Sequence, residues 1–148
     1  LKAANLCTGC STQLDKVSAI YNWVINYFSY DYDKASSVAS GYIPNLNAIY
    51  SSRKGICLDY AAEMTAMLCS QGIPTKLVVG YAKSGSSTVY HSWISTYING
   101  SGWINGIIYF DGTSWKLMDP TFASTGNSSS STMNYINNTS NYSARYCY

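Results

Sequence analysis

Charge is the scarcest ingredient of this 148-residue chain. Asp, Glu, Lys and Arg together make up 11% of it, and the net charge is only +2. No basic run or stripe is present, which argues against a nucleic-acid surface. No apolar run approaches the ~20 residues of a membrane span, and the first residues carry no signal-peptide pattern. The acidic residues are too few and too scattered for a calcium loop. Histidine occurs once, at His91. Any mechanism that needs an imidazole must therefore use that one.

What the chain does contain is aromatic and polar. Aromatics reach 15%, mostly fifteen tyrosines, and Ser, Asn and Thr fill positions where Lys and Glu are commoner. Five cysteines are an odd number, so at least one is unpaired within the chain. With Cys57 as the free thiol, Cys7, Cys10, Cys69 and Cys147 remain as an even set, open to three pairings. A bridge from the N-terminal segment to Cys147 is attractive, because both ends would otherwise fray. Only "CTGC" has zinc-ligand spacing, and a structural site normally needs a second such pair, so no metal and no cofactor is assigned. Cysteine number and surface composition together suggest an extracellular or cell-surface location, with a signal or anchor outside this sequence.

The length suits a single domain, residues 1–148, with a real core. "STQLDKVSAIYNWVINYF" reads as a helix. Leu14, Val17, Tyr21, Val24 and Phe28 recur at three and four, and Thr12 with Asp15 resembles a capping box. "SYDYDKASSVASGYIPNLNAIYSSRKG" is a long polar and aromatic connection, with a short helix expected around Leu46 to Tyr50; loops this long are often functional. A second main helix runs from Ile56 to about Ser70, stopped by Gly72 and Pro74. "TKLVVGYA" and "TVYHSWISTYI" are strands, and "NGSG" is a turn. "WINGIIYF" and "SWKLMD" flank the hairpin signal "DG". "STGNSSSST" is a loop, and "ARYCY" is a closing strand. Helices first and antiparallel sheet after is an α+β order.

Three residues in this layout have complementary chemistry. Cys57 opens the second helix, where backbone N–H groups stabilise a thiolate. His91 lies on a strand and can take the thiol proton, then return it to a departing amine. Asp119 ends a later strand before Pro120. A carboxylate there could fix the imidazole tautomer and stabilise its cation. Each has a plainer rival: a helix-borne cysteine is more often inert core, a strand histidine is often simply hydrogen-bonded, and Asp before proline can cap a turn.

At these residues the chain resembles the transglutaminase-like family of the papain-like superfamily. The matching blocks are "KGICLDYAAEMTAMLCSQGIPTKLVVGYA", "YHSWISTYI" and "WKLMDPTF", in the family order. "AIYNWVINYFSYDYD" is similar to the family's upstream helix and the turn after it. The resemblance covers roughly residues 10 to 123. It implies a papain-like or transglutaminase-core fold, N-terminal helices with the catalytic helix packed on an antiparallel sheet. It also implies roles: Cys57 as nucleophile, His91 as general base and acid, Asp119 as the orienting residue. The connection "NGSGWINGIIYFDGTS" is longer than the simplest family pattern. Cys69 reads as a disulfide partner or a packing residue, not a second nucleophile.

Around these residues, Trp93 is expected on the His91 face of its strand, with Tyr90 and Ser92 on the other. Asp59 reads as a first-turn cap or hydrogen-bond acceptor and not as a catalytic group, since its charge would oppose a thiolate. "NYFSYDYD" reads as packing plus a solvated turn. The expected activity is thiol-dependent acyl transfer on a protein or peptide substrate, through a thioester resolved by water or by an amine. Hydrolysis is preferred, because no feature marks a shielded amine channel. A crosslinking transglutaminase and a non-catalytic cell-surface module are the alternatives.

Overall fold

The computed structural model describes residues 1–105, 107–110, 115–118, 130–131, 134 and 138–148. Helices dominate its first half: α1 Lys2–Leu6, α2 Gln13–Tyr27, α3 Tyr32–Ser37, α4 Leu46–Ser52 and α5 Cys57–Ser70. Two short strands, β1 Ser29–Tyr30 and β2 Lys54–Gly55, interrupt them. The second half is sheet: β3 Thr75–Ser84, β4 Ser87–Ile98, β5 Gly102–Asn105, β6 Ile107–Phe110, β7 Trp115–Met118 and β8 Tyr142–Cys147. This is the expected α+β order.

The start of α2 follows from local chemistry. The Thr12 hydroxyl accepts the Asp15 N–H at 3.1 Å, and the Asp15 carboxylate accepts the Thr12 N–H at 2.9 Å. Both halves of the capping box are therefore made. Along the helix Val17, Tyr21 and Val24 are buried as their spacing predicts, joined by Ile20, and Phe28 is buried just past its end. That stripe packs on Tyr60, Ala61, Met64 and Leu68 of α5. α5 in turn lies on the β3–β4 hairpin, where Ile94 and Ile98 complete the core. The apolar burial that holds the molecule together is thus centred on α5.

The main sheet has the order β5-β4-β3-β8 and is antiparallel throughout. From Ser92 to Thr96 every residue of β4 is buried, so both faces of this strand are covered. The closing strand at the C-terminus forms as expected and pairs with β3, with a bulge between Val79 and Gly80. Gly80 is required there: a Cβ on it would lie 2.1 Å from the Ser143 carbonyl oxygen. The stretch read as one strand, "WINGIIYF", is divided between β5 and β6. β6 pairs with β7 as a hairpin, Phe110 opposite Trp115. Its expected "DG" turn, the loop "STGNSSSST" for the most part, and Asp119 lie outside the described residues.

The disulfides expected among Cys7, Cys10, Cys69 and Cys147 are not formed; all five cysteines are free. Cys7 is buried in the core beside α2 and behaves as a small apolar residue. The Cys10 thiol donates to the Leu6 carbonyl at 3.9 Å, and the Cys69 thiol to the Thr75 carbonyl at 3.7 Å.

Candidate active site

The approach to Cys57 is fixed before the helix begins. β1 and β2 pair in parallel, Ser29 beside Lys54 and Tyr30 beside Gly55. The Asp31 N–H then donates to the Gly55 carbonyl at 3.0 Å. These bonds tie the chain leaving α2 to the chain entering α5. Gly55 is buried against the first turn of that helix, where a Cβ would stand 2.7 Å from Asp59 Cβ. Ile56 is the N-cap in extended conformation, and Cys57 is the first helical residue. Its side chain is half-buried. A first-turn thiol of this kind faces backbone N–H groups that no preceding turn can use, where an anion is favoured.

The Cys57 side chain opens on a groove of about 840 Å³. One wall is the connection after α3, from Val38 to Pro44; the other is sheet, with Val79 of β3 and Tyr90 and Ser92 of β4. Tyr30 and Tyr148 also border it. The long connection that sequence marked as functional is therefore a groove wall. The tyrosine stripe read there as packing contributes Tyr30 to the same groove. Nothing local in the sequence distinguishes Tyr30 from its neighbours; its role comes from the β1–β2 pairing.

His91 sits within β4, opposite Gly80 of β3, and is buried. Its ring lies 6.3 Å from that of Trp93, at 28° to it. The expected sharing of one strand face by these two is borne out. Trp93 also packs on Tyr142, ring centroids 5.3 Å apart. Tyr90 and Ser92, the chain neighbours of His91, alternate to the other side and stand in the groove with Cys57. The groove thus reaches β4 on both sides of His91 along the chain. Of the three expected site residues, Cys57 lines this groove, His91 is not among its lining residues and shares the opposite face of β4 with Trp93, and Asp119 is outside the described residues.

Asp59 has the structural role expected of it, with more partners than expected. Its Oδ2 accepts the Ile56 N–H at 2.9 Å, capping the helix. The same oxygen accepts from Lys34 Nζ at 2.6 Å, and Oδ1 accepts from the Tyr42 hydroxyl at 2.8 Å. Lys34 Nζ donates to the Tyr42 oxygen as well. Burial works against the Lys34 charge, but its bonds to Asp59 and Tyr42 outweigh it and raise the pKa. Burial is also the largest cause that raises the Tyr42 pKa.

Known proteins of this shape exist. The family model of the transglutaminase-like superfamily matches residues 2–106. UPF0252 protein MJ1282 of Methanocaldococcus jannaschii is 32% identical over 96 residues, covering 57% of this chain and 27% of that protein. The uncharacterized protein YebA of Bacillus subtilis is 24% identical over 119 residues, covering 69% of this chain and 16% of YebA. The chain spans about a quarter or less of these curated relatives. Among solved structures, a TGase superposes with a TM-score of 0.55 at 22% identity, over 80% of this chain and 28% of the other. A candidate cysteine protease from Cytophaga hutchinsonii gives 0.57 at 20% identity, over 90% and 35%. These likenesses establish the fold: helices packed on a curled antiparallel sheet of the transglutaminase-like, papain-like kind.

Proposed function

Because the chain belongs to the transglutaminase-like superfamily, we propose that it is a thiol-dependent acyl-transfer enzyme. Cys57 is the nucleophile, His91 the general base and acid, and Asp119 the residue that orients the imidazole. The observation that carries this reading is the placement of Cys57: a half-buried thiol on the first turn of a 14-residue helix, open to a groove whose far wall is the strand of the sole histidine.

In this mechanism His91 takes the Cys57 proton and the thiolate attacks a peptide or side-chain carboxamide carbon. The C–N bond breaks, the amine leaves with the proton that His91 returns, and the acyl group remains as a thioester. Water then adds to the thioester, giving a carboxylic acid and restoring the thiol. First-turn N–H groups near Cys57 supply donors for the oxyanion. His91 shares the Trp93 face of β4, turned from the groove, so the relay requires the imidazole to come within hydrogen-bond reach of Cys57 Sγ when substrate is bound.

Hydrolysis is preferred over crosslinking because an acyl-enzyme exposed to ~55 M water is hydrolysed unless a shielded channel delivers the amine. The groove here is walled by the Val38–Pro44 connection and by β3 and β4, and the sequence marks no separate amine channel. A peptide library incubated with and without a primary amine, with products scored by mass spectrometry, tests the choice. Cleavage or glutamine deamidation is expected to dominate; amine adducts in excess of hydrolysis would reverse the assignment. Catalysis itself is tested by iodoacetamide. Cys57 should alkylate much faster than a model thiol near pH 6, and His91→Ala should remove that advantage. Equal rates in wild type and variant would mark a non-catalytic module.

A further inference from the structure

Apolar side chains stand exposed around the groove that Cys57 opens on. Val38 and Ile43 on the loop wall and Tyr90 on β4 all line it, and they are 36%, 82% and 60% exposed. Leu77 and Val79 of β3 extend the apolar lining. Single exposed apolar residues are ordinary, whereas several around one concavity mark a binding surface. Charge is missing from the same place: among the described residues, none that lines the groove is Asp, Glu, Lys or Arg. In a chain with 11% charged residues that absence alone decides little. It counts because the charges bonded to the loop wall are withdrawn as well. Lys34 pairs with Asp59 at 2.6 Å, and neither residue lines the groove. Tyr42 does line it, with its hydroxyl already engaged on Asp59 at 2.8 Å.

We propose that this groove selects its substrate by apolar side chains. The acyl donor is an uncharged peptide segment with an aromatic or large aliphatic residue beside the reacting carboxamide, and charged neighbours are rejected. The inference rests on the reading of Cys57 as nucleophile, since it takes the groove as the substrate's path to that sulfur. An apolar side chain laid against Ile43 and Tyr90 takes apolar surface on both partners out of water. A charged one seated there would lose its own water and meet no opposite charge. The neutral hydroxyl of Ser40, also on the lining, offers a peptide group a hydrogen bond without an ionic partner. The start of α5 favours an anion, but only within its first turn, where the oxyanion forms. That preference does not extend to side chains lying along the walls.

Binding is measured by calorimetry on Cys57→Ala, which keeps the groove walls and cannot turn a peptide over. The probes are capped pentapeptides, acetyl-Gly-X-Gln-X-Gly-amide, with X as Phe, Leu, Asn, Lys or Glu. The Phe and Leu peptides should bind at least ~10-fold tighter than the other three, a factor that partly covering two apolar side chains supports. In the same background, Ile43→Lys on one wall and Tyr90→Lys on the other should each weaken the Phe peptide and favour the Glu peptide. Four results overturn the proposal: equal affinities, a preference for Asn, Lys or Glu, binding of none of the five, or a Phe affinity that neither lysine variant changes. Where one variant fails to fold by circular dichroism, the opposite wall decides. Turnover of the same peptides by the wild-type protein, scored by mass spectrometry, keeps the two readings apart. Selective binding with no conversion of the Phe peptide removes the enzyme reading and supports the selectivity. Conversion of all five at equal kcat/KM does the reverse.

Discussion

Single residues near Cys57 are held with little slack, and the tightest is Gly55. Alanine there would drive a Cβ to 2.7 Å from Asp59 Cβ, and Asp59 cannot retreat without releasing Lys34, Tyr42 and Ile56. Gly55→Ala should cost ~1–3 kcal/mol, the usual range for overpacking a filled site, read as a lower urea midpoint at unchanged slope. Glu63, six residues along α5, is a different case. It is buried, its Oε2 has no hydrogen-bond partner among the described residues, and burial raises its pKa. The folded state therefore keeps this proton after the unfolded chain has lost it. Stability should fall as pH rises from the unfolded value near 4.5 through the folded one. Glu63→Gln should melt higher than wild type at pH 7, with the gap closing towards pH 4, in a thermal series. What sequence revealed at this scale was local. The Thr12–Asp15 box and the first-turn position of Cys57 are patterns within a few residues of one another. Lys34 and Tyr42 were not legible as partners of Asp59, because they lie 25 and 17 residues away in a stretch that reads as solvated.

At the level of elements, the two long helices and the β3–β4 hairpin were legible because periodicity and stop signals agreed. α1, α3 and the β1–β2 pair were not, since elements of two to six residues carry too little pattern to separate from turns. The division of β5 from β6 was missed for a related reason: an apolar run shows that strand is favoured, not where the chain changes partner. The docking of β8 was foreseen as a closing strand, but its dependence on Gly80 was not. That dependence is testable. Gly80→Ala would place a methyl group against the Ser143 carbonyl at 2.1 Å and Ala144 Cα at 2.9 Å, backbone atoms that cannot rotate aside. β8 should be displaced, with a loss of ~1–3 kcal/mol and faster amide exchange over residues 142–147 than elsewhere in the sheet. Gly80 is also the cross-strand partner of His91, so the same substitution should slow Cys57 alkylation if the imidazole acts on the sulfur.

Across the whole molecule, family and fold follow from three blocks whose order survives in the structure, the last only as far as Met118. The groove could not be read in advance, because its walls come from a loop and two strands that only folding brings side by side. α5 joins these levels. Its first residue is the thiol, and its later turns supply Tyr60, Met64 and Leu68 to the centre of the core. Regions anchored in this way open only when the entire domain does. Heat should therefore leave no intermediate in which the protein stays compact but its sulfur has become ordinary. Loss of Cys57 reactivity and loss of helical ellipticity should follow one curve against temperature, and reactivity that disappears several degrees earlier would mean that the end of this helix frays independently of its base.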